Sequence, residues 1–180
     1  MNRLRTYVAA AGAAAALIAP VSLLGQASAS VPVTPAAAVS AQQPSECRNG
    51  DLVATYTNRG AGMGHAYGVI KLTNVSDASC TTRGYGGLSY VGGGDGTQIG
   101  AAARRDKGKH PTVVIEPGKA ARSKISETTA LNYPRKKCHP TPVDGFRVYV
   151  PDATRSQYIE HATTGCAKKR VKLISHKPYH

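Results

Sequence analysis

The chain contains no tryptophan, one phenylalanine and two methionines among its 180 residues, and aromatic residues make up only 6% of it. Without tryptophan, the buried indole that pins antibody domains cannot exist here. No Cys-x-x-Cys pair occurs, so a zinc site of the usual close spacing has no footing. Gly-x-Ser-x-Gly is missing, as are the full Walker pattern and a repeated calcium-binding nonapeptide. Helical periodicity is hard to find beyond Cys47. These absences remove the motifs that would name an enzyme, and no cofactor or resident metal is expected.

What is present begins with a leader. Arg3 and Arg5 precede an uncharged apolar segment, and Ala27-Ser28-Ala29 follows as a small-residue cleavage site. That order is a secretory signal peptide over 1–29, cut after Ala29, and it competes with a membrane anchor. Pro20, the alanine-rich composition and the Ala-x-Ala ending favour cleavage. The two arginines are not adjacent, so there is no twin-arginine signal, and no cysteine follows closely enough for lipid attachment. Residues 30–46 are rich in Pro, Ala and Ser and read as a flexible leader, followed by one domain over 47–176 and a short tail over 177–180.

Four cysteines lie in that domain: Cys47, Cys80, Cys138 and Cys166. An even number in an exported chain predicts two disulfides, with three connectivities open. Short β-rich runs recur at 51–58, 66–75, 86–94, 112–118, 119–126, 145–151 and 170–176, separated by Gly, Pro and Asn-Asp turns. In "KAARSKIS", Ala121, Ser123 and Ile125 alternate with Arg122 and Lys124. Seven or eight such strands predict an all-β, antiparallel, immunoglobulin-like sandwich. Antiparallel neighbours then bring Cys47 to Cys80 and Cys138 to Cys166. Each bridge closes a loop worth roughly 3–4 kcal/mol by chain entropy.

The net charge is +13, of which Arg3 and Arg5 leave with the signal, so the remainder carries +11. Such a surface attracts anionic cell-wall polymer or acidic glycan without needing a specific nucleic-acid partner. If 145–151 and 170–176 are adjacent strands, Arg147, Tyr149, Arg170 and Lys172 share one face, with Lys168 and Lys169 at its rim. That cationic face is the candidate binding site. A solvated face that only keeps the protein soluble is the competing reading.

The ordered motifs "GHAY", "LTNVSDASC", "GYGGLSY", "AAARRD", "VIEPGKAARSKI", Cys138-His139-Pro140 and "FRVYVPDAT" resemble the domain-of-unknown-function family 4232, found in secreted proteins and lipoproteins of high-GC Gram-positive bacteria. The resemblance implies a β-sandwich outside the cytoplasm and no assigned activity. One departure is visible, since Gly84-Tyr85-Gly86-Gly87 stands where the family usually has Gly-Tyr-Pro-Gly.

Other candidates are weaker. His65 on its glycine loop is either a general base or a histidine at the mouth of a strand, and no acid lies near it in sequence. A hydrolase would have to join it to Asp51, Asp95 or Asp144, and a protease-inhibitor-like module presenting a disulfide-tethered loop is a third class. The "GGGDGTQIG" stretch over 92–100 reads as a hairpin loop. His176 and His180 suggest weak copper or zinc binding, against a frayed terminus. Asn74-Val75-Ser76 fits a glycosylation acceptor but reads as a turn. The expectation is a secreted, non-enzymatic binding module.

Overall fold

A computed structural model describes residues 43–180; the segment expected to be a signal peptide and most of the expected leader lie outside the described residues. The described chain is mostly β, with strands in three sheets, a 3-10 turn at Ala130–Asn132 and one four-residue helix, α1, at Arg135–Cys138. The first sheet runs β1 (Leu52–Gly62), β2 (His65–Asn74), β8 (Ala120–Thr128), β11 (Ile174–His176) and β6 (Arg104–Arg105). The second runs β10 (Ser156–Cys166), β9 (Pro140–Tyr149), β4 (Gly87–Gly92) and β5 (Thr97–Ile99). A third pairs β3 (Cys80–Arg83) with β7 (Thr112–Ile115). All pairings are antiparallel except β11 with β6.

Period-two alternation sets the faces. On β8, Ala121, Ser123, Ile125 and Glu127 are buried while Arg122 and Lys124 are exposed. Ile70 and Leu72 of β2, Leu52 of β1 and Phe146 and Val148 of β9 join the same core, and Phe146 is wholly buried. Burying a phenylalanine contributes about 1.5–3 kcal/mol. Contacts cross between the two larger sheets: Tyr56 of β1 packs edge-on to Phe146 of β9 with centroids 5.3 Å apart. Gln157 of β10 reaches β1, accepting from the Ala54 amide at 2.8 Å and donating to the Leu52 carbonyl at 2.7 Å.

The glycine cluster before β2 is a hairpin turn. Gly62 pairs with His65, and Met63 and Gly64 between them take φ of 51° and 75°. Both central residues are left-handed, as a tight hairpin requires. Gly68 serves differently: a Cβ there would lie 2.1 Å from Tyr56 Cε2, so its bareness is what lets the Tyr56 ring lie across β2. At Gly86 a Cβ would lie 2.1 Å from the Tyr149 carbonyl oxygen. The backbone of Tyr149 thus packs directly on the position where the resemblance leads one to expect proline.

Both predicted disulfides are formed, Cys47–Cys80 and Cys138–Cys166. The second joins the end of β10 to the last residue of α1, two positions before its hairpin partner β9, with Cys166 opposite Pro140 in register. The first lies at the end where antiparallel β1 and β2 set Leu52 opposite Asn74, and a parallel bridge of Glu46 to Thr81 holds it in place. The chain is thus docked slightly before Cys47, since the Thr81 amide also donates to the Ser45 carbonyl at 2.8 Å.

Two expectations are overturned. Strands over 145–151 and 170–176 are not neighbours: β9 lies between β10 and β4, and β11 lies between β8 and β6 in the other sheet. Only 174–176 of the second run is strand. Nor is 177–180 a frayed tail. The Lys177 amide donates to the Lys124 carbonyl at 2.9 Å, Arg122 and His180 exchange backbone bonds at 2.9 and 3.1 Å, and Tyr179 is buried.

Candidate functional site

His65 does not meet a carboxylate. Its Nδ1 lies 3.3 Å from Thr128 Oγ1, and its ring stacks on Tyr67 with centroids 6.2 Å apart. The three acids weighed as its partner each accept a backbone amide elsewhere. Asp51 accepts from the Arg48 amide at 2.7 Å, and Asp144 from the Gly94 amide at 2.8 Å. Asp95 accepts from the Thr97 amide at 2.9 Å, a bond that holds its carboxyl below the usual range. The loop over 92–97 is a hairpin between β4 and β5, with Gly93, Gly94 and Gly96 all at positive φ.

The histidine that does pair with a carboxylate is His161, which sequence reasoning missed. Glu127, 4% exposed, projects from β8 into the space between the two larger sheets. It accepts from Tyr90 at 2.6 Å on Oε2 and from Tyr56 at 3.2 Å on Oε1, while His161 Nε2 lies 2.9 Å from Oε2. Phe146 stacks on the His161 ring at 4.4 Å, and Tyr56 meets its edge at 4.8 Å. Burial raises the Tyr56 phenol to about 12, helped by the Glu127 charge and hydrogen bond. The same causes raise Tyr90 further. The cluster borders a cleft of about 320 Å³ that also touches Thr128, Thr163 and Thr164. Since Tyr56 and Glu127 belong to one sheet and Tyr90, Phe146 and His161 to the other, it ties the sheets through a satisfied buried charge.

The predicted cationic set is divided. Arg147 is half-buried and its guanidinium donates to the Gly96 carbonyl, while Tyr149 ends β9. Neither shares a sheet with Arg170 or Lys172, because β9 pairs with β10 and β4 instead. Lys168, Lys169 and Arg170 are exposed in the turn after β10. They meet a different basic run. The Lys168 amide donates to the Cys138 carbonyl at 3.2 Å and the Ala167 amide to the His139 carbonyl at 3.1 Å, against the end of α1. Arg135, Lys136 and Lys137 on α1 are exposed too. The Cys138–Cys166 bridge, with Cα atoms 4.6 Å apart, holds the two runs together. None of these six cations forms an ion pair among the described residues. A hollow of about 310 Å³ opens between Arg135, Lys136, His139 and Pro140.

His176 is buried in β11, its ring edge-on to Tyr85 at 5.3 Å. Burial, and then the Arg105 charge, lower its pKa to about 4. Among the described residues no group of three or more His, Cys, Asp or Glu is placed to hold a metal. Asn74 is fully buried, donating to the Ala78 and Ile115 carbonyls at 2.8 Å each and accepting from Ser76. That use of both amide hydrogens makes it the centre of a turn.

Fold and site together define a two-disulfide, mostly β domain with one buried carboxylate between its sheets and a cationic end. Among the described residues no helix is long and apolar enough to cross a membrane. Residues 47–176 match the family described as Domain of unknown function (DUF4232), and the chain belongs to it. No curated protein and no solved structure matches the chain.

Proposed function

We propose that this protein is a secreted, non-catalytic module, built on an immunoglobulin-like sandwich, that binds anionic cell-envelope polymer at its cationic end. Facing contacts between the two larger sheets, Tyr56 with Phe146 and Gln157 with Ala54, support the sandwich. The disulfides and the apolar leader ending in Ala27-Ser28-Ala29 support an extracytoplasmic location. One observation carries the binding assignment. A disulfide fixes Arg135, Lys136 and Lys137 beside Lys168, Lys169 and Arg170, with no carboxylate in ion-pair reach. Like charges repel, so holding six together costs stability that an anionic ligand would relieve. A polymer of repeating phosphate or carboxylate suits a site made of exposed side chains, because it needs charge density more than shape.

Salt-gradient retention on immobilised polyphosphate and polygalacturonate tests this. Replacing Lys136, Lys137, Lys168 and Lys169 by Glu is expected to lower the eluting salt concentration far more than the same change at Lys71, Lys107, Lys109 and Lys119. Equal losses from both quartets would reduce the effect to bulk charge and overturn the local site.

A further inference from the structure

We propose that the outer face of the five-stranded sheet carries a second binding site, for a small amphiphilic anion: a phosphate, sulfonate or carboxylate head on an acyl or aromatic body. It lies on other strands than the polymer-binding end and does not rest on that reading.

Alternation on β2 turns Tyr67, Val69 and Lys71 away from the core, and alternation on β8 turns Arg122 and Lys124 the same way. The register sets Val69 beside Lys124 and Lys71 beside Arg122. Across β2, the register of β1 shifts between Asn58 and Gly60, and Arg59 occupies that bulge. Bulges re-aim side chains, and here Arg59 joins the opposite wall of a groove of about 400 Å³. His180, hydrogen-bonded to Arg122 through the backbone, lines the same groove.

The floor distinguishes this groove from a solvated basic face. Val69 points outward yet is only 8% exposed, and the Tyr67 ring is 48% exposed beside it. The aliphatic stems of Arg122 and Lys124 complete an apolar lining beneath three charged heads, as long cationic side chains commonly do. No Asp or Glu side chain lines the groove; among the described residues Arg59 and Lys124 form no ion pair, and Arg122 gives one guanidinium hydrogen to the Ala120 carbonyl at 3.2 Å and keeps the others for an anion. A polar polymer would gain nothing from carbon underneath. A compact amphiphile satisfies both parts, and the volume lies in the range of small-molecule pockets.

Isothermal titration of the full chain with octyl phosphate, below its micelle concentration, tests the site. Inorganic phosphate and the uncharged octyl glucoside serve as comparison probes. Saturable binding of one octyl phosphate is expected, with both comparison probes weaker by about tenfold or more. Lys124→Glu and Tyr67→Ser should each weaken octyl phosphate by about tenfold, and the four-lysine reversal at the disulfide end should leave it unchanged. Thermal midpoints equal to the parent's would show that these exposed substitutions leave the fold intact, and Arg122→Gln gives a second, milder variant. Octyl glucoside binding as tightly as octyl phosphate would overturn anion recognition. Inorganic phosphate binding equally well would overturn the apolar floor. Unchanged affinity in the Lys124, Tyr67 and Arg122 variants would remove the site.

Discussion

Replacing Glu127 by Gln keeps the shape of the side chain and removes its charge. The carboxylate is held at 2.6 Å by Tyr90, 2.9 Å by His161 and 3.2 Å by Tyr56. Bonds to a charged partner contribute about 1.5–3 kcal/mol, against about 0.5–1.5 for neutral ones, so three weakened bonds cost about 3 kcal/mol. The amide also turns one acceptor into a donor, facing either a hydroxyl or the imidazole, and an unpaired buried group adds about 1–3 kcal/mol. The expected loss is about 4–6 kcal/mol, a large share of the total stability of a domain. Urea unfolding at neutral pH, followed by circular dichroism, measures it as a lower midpoint at unchanged slope. Tyr90→Phe should cost less than Glu127→Gln, and the double variant should lose less than the two separate losses combined. A loss below about 1 kcal/mol, or strict additivity with Tyr90→Phe, would refute the view that this carboxylate ties the sheets.

His176 makes stability depend on pH. Its pKa is about 4 folded and 6.5 in the unfolded reference. The unfolded chain therefore binds the extra proton first, and stability falls as pH drops from 6.5 to 4, by about 3 kcal/mol in all. His176→Phe should flatten that part of the unfolding-versus-pH curve, and an unchanged difference between parent and variant across the window would contradict it. Replacing Cys138 and Cys166 together by Ala opens a loop of sequence separation 28 and should cost ~3.6 kcal/mol in guanidinium unfolding. It should also weaken retention on polyphosphate, because the two basic runs lose their staple; retention equal to the parent's in still-folded protein would separate the bridge from binding.

Several elements were readable because one face is apolar and the other charged. On β8, arginine and lysine alternate with alanine and isoleucine, and the structure follows that pattern. Carried one step past Ser126, the same period places Glu127 on the buried face, a signal that a buried carboxylate was coming. Strand β10 was missed because its half-buried side carries Gln157 and His161, polar residues satisfied by Leu52 and Glu127 from the opposite sheet. Local pattern cannot show a partner supplied by a distant strand. Both disulfide pairings came out as expected, the first between antiparallel neighbours as read, the second with a different neighbour, since Cys166 ends β10 rather than preceding a partner of β9. Over 170–173, Val171 and Leu173 are buried and Arg170 and Lys172 exposed without forming strand there, so alternation alone overstated β11. Which run lies beside which is a long-range property, and the cationic end appeared only once α1 and the turn at 167–170 were seen to touch.

The order β1-β2-β8-β11-β6 has a kinetic corollary. The ribosome delivers β8 with one edge still bare, and its partner on that side is made more than forty residues later, as the numbering of Thr128 and Ile174 shows. During that interval the open backbone edge invites pairing with other chains. Productive assembly must therefore wait until nearly the whole domain has been synthesised, and a holding factor that shields β8 would suppress aggregation more than one that accelerates hairpin closure.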